Sequence, residues 1–398
     1  MLYRINKFVE SKIALKFYKT LRIFKFFCYR IFDFGLYVAF VKIIFMIFTK
    51  KNTRYPNEVI KLENDFNKML KVMSCFSTSS GTTAYETILF ALDAKKGDLI
   101  YLPACTFHSI QMTTMLFGLE PLYLDRDKNL DVILPIKINK RAKFFVVTHL
   151  FGVTNNLEKI VNFCKKNKLT LIEDCSHSHG AFFNGKLLGT FGTASFFSLQ
   201  GDKSVAAGEG GIAAFKEKKL FEIGLNYCHL GRKLINTSKA SLTFNKGLGK
   251  KYRMAPLGAP LARNDLKRIF KKNNKIKKKI QILLKYIGNA KGIRLAFDNY
   301  KDSGGYHIGI PFIVNDNKLR TELLLNKSIF LPVQYIDYSK YNHLASVKDF
   351  EKAYEDESEK FFIDQNKLHM CGENIILLNL AFLDTPLWAY RFKTLLKI

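Results

Sequence analysis

Acidic residues are scarce in this sequence. Its 398 residues hold 34 Asp and Glu against 63 Lys and Arg, a formal net charge of +29. That balance points to an anionic partner: a nucleotide-linked substrate, a negatively charged membrane surface or nucleic acid. Cysteine is sparse and unpatterned. The seven (Cys28, Cys75, Cys105, Cys164, Cys175, Cys228 and Cys371) are odd in number and contain no CxxC pair. This excludes a disulfide framework and a zinc-ligand set, and fits reduced thiols in a cytoplasmic protein; no metal is expected. The apolar stretch Phe34 to Phe48 is fifteen residues long and interrupted by Lys42, short of the ~20 that a membrane span needs. No small-residue cleavage site follows it, which argues against a secretory signal. The lysine-rich run RIFKKNNKIKKKIQILLKYI lacks interleaved aromatics and any RNA-binding signature, so it reads as a solvated helix face and nucleic acid is not an expected partner.

A hydrophobic content of 48% with 24% charged residues describes a globular chain, and its length suits two domains. Residues 1–52 form a basic, hydrophobic extension. Lys12, Lys16 and Lys19 recur at helical spacing among Phe, Ile, Leu and Tyr, a pattern that suits an anionic membrane surface. A helical pair packed on the protein and a true span are the other readings of this segment. Residues 53–262 alternate short apolar runs with amphipathic ones: LIYLP, EPLYL, AKFFVVT and LTLIED against NEVIKLENDFNKML, the segment from Thr82, and LEKIVNFCKKNK. Unbroken apolar strands between helices predict a mostly parallel sheet with helices on both faces. Residues 263–398 supply a linking helix and a smaller α+β domain.

The stretch Leu169 to Phe215 organises this pattern. LTLIED ends on two acids, a glycine-punctuated segment leads to ASFFSLQ, and Lys203 sits alone in the next turn before GEGG and GIAAF. An acid at a strand end and a lysine in a neighbouring turn suit pyridoxal-phosphate chemistry. Asp174 would hold a protonated pyridine nitrogen, and Lys203 would carry a Schiff base. By itself Lys203 would read as a solvated turn lysine.

The motifs EDxxxxxGA, SxxxxK and GEGG, in that order, resemble the DegT/DnrJ/EryC1/StrS family of sugar aminotransferases. The resemblance runs from about Glu63 to about Leu266. It implies a type I pyridoxal-phosphate fold, with Lys203 forming the internal aldimine and Asp174 binding the ring nitrogen. It places His177 near the phenolic oxygen and Ser198 on the phosphate. It maps the phosphate-binding SGT segment onto Ser80, Gly81 and Thr82, at a helix N-terminus whose free N–H groups suit an anion. It sets Phe107 flat against the ring. His149, in the HLYG-like segment, receives no chemical role and reads as a hydrogen-bonded structural histidine. Arg253 and Met254 match the RM signature, whereas Lys251 stands where the family has an asparagine directed at the neighbouring subunit's cofactor phosphate. Pro260 falls in the following helix signature, where it would start or break the helix.

The resemblance implies transfer of an amino group from an amino acid, glutamate, to a nucleotide-linked keto sugar by a cytoplasmic homodimer. The product would feed a surface polysaccharide such as O-antigen, or a glycosylated natural product. A sugar dehydratase of the same family is the alternative, but its members generally carry histidine in place of the lysine. A catalytically silent, membrane-associated scaffold is a third reading.

Overall fold

In the computed structural model the described residues are 34–49, 57–124, 126–127, 131–152, 156–234, 242–244, 247–288, 291–296, 305, 309–325, 329–332, 375–380, 383, 388–389, 392 and 396. The proposed amphipathic helix around residues 12–30 and Asp125 lie outside them. The chain divides into two compact units, Met1–Thr53 and Arg54–Ile398.

The first unit contributes helix α1 (Phe34–Thr49), whose only charged residue is Lys42. Ala39 and Met46 are buried, while Tyr37, Phe40, Val41, Ile44, Phe45 and Phe48 are exposed. Sixteen residues rise about 24 Å, less than a ~30 Å hydrocarbon core. No helix among the described residues is long and apolar enough to cross a membrane.

The second unit is built on a seven-stranded sheet. Its strands are β1 (Ser74–Thr78), β2 (Leu99–Pro103), β3 (Glu120–Leu124), β4 (Ala142–Thr148), β5 (Thr170–Asp174), β8 (Ala194–Ser198) and β9 (Gly211–Phe215). The spatial order is β1-β9-β8-β5-β4-β2-β3. Every neighbouring pair is parallel except the two made by β9, which alone runs against the rest. The small hairpin β6 (Phe182–Phe183) and β7 (Lys186–Leu187) lies between β5 and β8.

β4 shows why both faces of the sheet are covered. Phe145 and Val147 belong to one apolar cluster, Phe144 and Val146 to the other, because successive side chains leave opposite faces of a strand. Helices α2 (Asn57–Leu70), α5 (Leu157–Lys166) and α7 (Ala259–Leu266) fill the first cluster. Helices α3 (Gly81–Ala91), α4 (His108–Leu116) and α6 (Lys218–Cys228) fill the second. The expectation of a mostly parallel, doubly covered sheet holds. Pro260 does not break its helix. It occupies the first turn of α7, after a 3-10 turn at Pro256–Gly258, where its missing N–H costs nothing. A short ladder, β10 (Arg232–Leu234) with β11 (Leu242–Phe244), follows α6.

Helix α8 (Ile269–Ile287) carries the lysine-rich run. Ile276, Ile280, Leu283 and Ile287 form its buried stripe at the spacing of one helix face. They cover an antiparallel sheet ordered β12-β13-β15-β14: β12 (Ile293–Leu295), β13 (Gly309–Val314), β14 (Phe330–Pro332) and β15 (Ile375–Asn379). Helix α9 (Asn317–Leu324), capped by Asp316 and containing Arg320, adds Leu323 to that core.

Candidate active site

Parallel strands end on the same edge, so the turns after β1, β2, β4, β5 and β8 converge there. Strand register sets the row: Thr148 pairs with Asp174, and both Thr78 and Ser198 pair with Gly211.

Two adjacent carboxylates close β5. Glu173 is fully buried. Its Oε1 accepts the N–H groups of Phe191 and Gly192, both at 2.7 Å, and its Oε2 accepts that of Gly189 at 2.8 Å and lies 3.0 Å from His149 Nε2. Burial pushes its carboxyl up, but the His149 bond and charge and the backbone N–H groups hold it below the usual range. The predicted structural role of His149 thus acquires a partner. The ligand atoms of His149, Glu173 and Cys175 lie within 4.8 Å of one another. A cation there would compete with the N–H groups that already occupy the Glu173 oxygens, and burial pushes the Cys175 thiol well up. The group is a hydrogen-bonded node.

Asp174 points the other way in strand alternation and behaves differently. It receives the Ser176 N–H at 3.0 Å, the Ser176 side chain, and Thr148 Oγ1 at 3.4 Å; Thr148 also meets Thr106 at 2.9 Å. Burial raises its carboxyl, with the Ser176 bonds and the charges of His149 and Lys203 pulling back. A carboxylate disfavoured by burial is stabilised by a cationic N–H facing it, and a protonated pyridine is such a donor.

Lys203 lies in the turn between β8 and β9, its N–H bound to Gln200 O at 3.0 Å. Its side chain is largely buried, and Nζ lies 3.7 Å from the exposed carboxylate of Asp202. Burial lowers its ammonium, against the opposing charges of Asp202 and Asp174, which favours the nucleophilic amine. The turn is braced from behind. Ala206 N–H reaches Asp265 at 3.2 Å, and a Cβ at Gly258 would meet Ala207 O at 2.1 Å.

A cradle forms where α3 begins. Ser80 caps the helix, accepting Thr83 N–H at 3.1 Å, while Thr83 Oγ1 accepts Ser80 N–H at 3.0 Å. Gly81 faces Ser198, and a Cβ there would approach Ser198 Cβ to 3.0 Å. Gly211 presses on Ser80 O, where a Cβ would lie at 2.2 Å. The structure therefore brings Gly81 and Ser198 together and leaves Thr82 partly buried in the first turn. Thr83 and Ser79, joined at 3.1 Å, complete the polar cluster. They went unnoticed in the sequence because a threonine there reads as an ordinary helix residue. Free N–H groups, a hydroxyl and close-packed glycines suit a phosphate.

Phe107 caps α4, about half exposed, with its ring 4.3 Å from that of His108. His177 is buried and accepts Phe151 N–H on Nδ1 at 3.3 Å. Lys251 and Arg253 do not join this row directly. They lie on a strap, residues 247–253, that crosses the end of α6 through a bridge between His229 and Lys251 and ties to the cradle by Ser79 N–H to Tyr252 O at 2.7 Å. Lys250 and Tyr252 both reach Glu86 of α3, at 2.6 and 2.8 Å, and Tyr227 joins them at 2.8 Å. Lys251, between them, is exposed. The Glu86 node also escaped sequence reading, since its partners lie more than 140 positions away.

A mostly parallel sheet with one reversed strand, covered by helices on both faces, is the fold type I architecture of pyridoxal-phosphate transferases. Within that class, the chain belongs to the DegT/DnrJ/EryC1/StrS aminotransferase family, whose model matches residues 46–361. It is 31% identical to a GDP-perosamine synthase of Escherichia coli O157:H7 over 175 residues, 43% of this chain and 48% of that one. The chain spans about half the length of the curated relatives it matches. An aminotransferase from Psychrobacter cryohalolentis has the same fold, with a TM-score of 0.71 at 19% identity, covering 89% of this chain and 96% of that one. So does an E. coli GDP-4-keto-6-deoxy-D-mannose-3-dehydratase with bound hydrated pyridoxal phosphate, with a TM-score of 0.69 at 20% identity, covering 90% and 96%.

Proposed function

We propose that this protein is a pyridoxal-phosphate-dependent aminotransferase that moves an amino group from glutamate to a nucleotide-linked keto sugar. The observation that carries this reading is that buried Asp174 and the largely buried Lys203, near enough for each to influence the other's charge, share one sheet edge with the Gly81–Ser198 contact. Pyridoxal phosphate, when bound, supplies the electron sink for amino transfer. Asp174 holds the proton on the pyridine nitrogen. Gly81, Thr82 and Ser198 hold the phosphate, and Phe107 packs on the ring. Lys203, its ammonium destabilised by burial, takes and returns the proton at the reacting carbon. Residues 53–262 form the cofactor-binding domain, and residues 263–398 form the linker and small domain.

The relatives' names, among them GDP-perosamine synthase and a dTDP-amino-sugar transaminase, support a nucleotide-linked sugar as the acceptor; a surface polysaccharide or O-antigen is its proposed destination. A dehydratase shares the fold, but Lys203 favours transamination. The exposed Lys251 suits a contact with a second subunit's phosphate and supports a homodimer, and the scattered, unpatterned cysteines support a cytoplasmic location. The basic residues of the first fifty and the exposed apolar side of α1 suit peripheral contact with the inner face of the membrane. Incubation with glutamate and GDP- or dTDP-linked 4-keto-6-deoxy sugars, followed by mass spectrometry, tests the activity. An amino sugar formed in step with 2-oxoglutarate is expected. Loss of water from the sugar without a new amine would select the dehydratase. Co-flotation with phosphatidylglycerol vesicles, lost on removing residues 1–50, tests the membrane contact.

A further inference from the structure

Thr148 closes β4 and pairs in register with Asp174 of β5, so both side chains leave the same face of the sheet. Thr148 Oγ1 lies 3.4 Å from Asp174 Oδ2, while the Ser176 N–H binds the other oxygen, Oδ1, at 3.0 Å. Behind Thr148, Thr106 Oγ1 lies 2.9 Å from the same hydroxyl. Thr106, Thr148 and Asp174 are all buried. The backbone of Thr148 is held as well: its carbonyl accepts the buried Arg126 guanidinium at 2.8 Å. Thr106 stands next to Phe107, in the turn between β2 and α4. A row of hydroxyls thus joins the turn that carries Phe107 to the strand end that carries Asp174.

A hydroxyl has one proton to give, and an ionised carboxylate can only accept. Thr148 therefore donates to Asp174, and Thr106 donates to Thr148. In such a chain each donor polarises and strengthens the next. We infer that Thr148 and Thr106 are positioning residues: their directed hydroxyl chain fixes one oxygen of Asp174 and holds its carboxyl ionised, so that a proton shared with the cofactor's ring nitrogen rests on the nitrogen. The part that concerns the ring rests on the proposed function; the hydroxyl chain rests on geometry alone. The chain works against burial, which disfavours the charged carboxylate at this position. The other charged or titratable groups that act on Asp174 or respond to it are His149, Lys203, Tyr85 and Cys175. Exchanging the Thr148 hydroxyl for a methyl group replaces none of them.

Carbon NMR of cofactor-free protein labelled with 13C-aspartate tests the chain, with Asp174 identified by its loss in Asp174→Asn and its carboxyl carbon followed against pH. Thr148→Val keeps the shape of the side chain and removes the hydroxyl; it raises the titration midpoint by about one pH unit, the size of one hydrogen bond to a charged group. Thr148→Ser restores a hydroxyl and stays within about 0.3 of the wild-type midpoint. Thr106→Val leaves Thr148 in place and moves the midpoint less, in the same direction; it serves alone if Thr148→Val does not fold. An unmoved or lowered midpoint in Thr148→Val overturns the chain, and an unmoved one in Thr106→Val removes Thr106 from it. The role toward the ring is read with pyridoxal phosphate carrying 15N in the pyridine. The wild-type resonance lies at the protonated position, moves toward the unprotonated one in Thr148→Val and returns in Thr148→Ser. An unprotonated wild type, or a resonance unmoved in Thr148→Val, overturns that role. A wild type that takes up no pyridoxal phosphate, yet shows the Thr148 effect on Asp174, sinks the proposed function and leaves the hydroxyl chain standing.

Discussion

The wall of the site at the end of β5 and the strap at its rim are both held by a carboxylate that gathers several donors, yet they differ in kind. In the wall, Glu173 is fully buried and binds three backbone N–H groups and His149. In the strap, Glu86 binds two tyrosine hydroxyls and a lysine that is about half exposed. A buried acceptor leaves its donors unsatisfied when it is removed, whereas water replaces it at a rim. Precision in the wall is therefore structural and expensive to lose. In the strap it is adjustable, which suits a segment that presents Lys251 outward.

Several substitutions sharpen or break that contrast. Lys203→Ala has the largest expected effect on chemistry: amino transfer falls on the order of 10²–10⁴-fold, as for loss of a positioned acid–base group, with the thermal midpoint little changed. Preserved turnover in stopped assays would remove Lys203 from the mechanism.

Glu173→Ala has the largest expected effect on stability. Stranding His149 and three N–H groups costs about 3–5 kcal/mol in urea unfolding. The pH dependence has a definite sign. The folded carboxyl lies below the ordinary 4.5, so its contribution is complete above that value and is lost as pH falls through the lower folded value. Glu173→Gln should therefore flatten the rise of stability with pH in that acid window. Asp174, raised by burial, contributes with the opposite sign. An unaltered acid slope in the Gln variant would contradict the wall's electrostatics.

Gly81→Ala should weaken pyridoxal phosphate about tenfold, because its methyl would press on Ser198 and intrude on the cradle. A calorimetric titration of the cofactor-free protein reads this directly. Glu86→Ala should cost only about 1–2 kcal/mol, since its lysine partner is half exposed and screened. It should nevertheless loosen residues 247–253 in hydrogen exchange. A cost as large as that of Glu173→Ala would abolish the distinction between wall and strap. The smallest stability effect belongs to Lys251→Ala, within about 0.5 kcal/mol as for other exposed positions.

The same contrast explains what was legible in the sequence. The strands of the large sheet announce themselves as apolar runs because both faces are buried, and their ends carry Asp174 and Ser198, so local motifs locate the edge. Lys203 lies in a short turn between two such strands and is equally visible. Glu86, Thr83 and Phe151 are different. Glu86 and Phe151 matter through partners that the fold brings in from elsewhere, Tyr227 and Lys250 for the first and His177 for the second, whereas Thr83 works locally with Ser79 and Ser80 in what reads as an ordinary helix start. A glutamate or threonine on a helix, or a phenylalanine before a glycine, carries no local mark of such a role. Pro260 resolves an ambiguity instead: a proline that could start or break a helix in sequence is a helix starter here because it falls in the first turn.

The central claim is that Lys203 and Asp174 make a pyridoxal-phosphate site. Its most direct test is the absorption spectrum of purified wild type and Lys203→Ala, each incubated with pyridoxal phosphate, dialysed, then mixed with glutamate. The account predicts a yellow wild type whose near-visible band is bleached by glutamate, beside a variant that never acquires the lysine-linked band. A wild type that stays colourless, or a variant that shows the same band and the same bleaching, would contradict it.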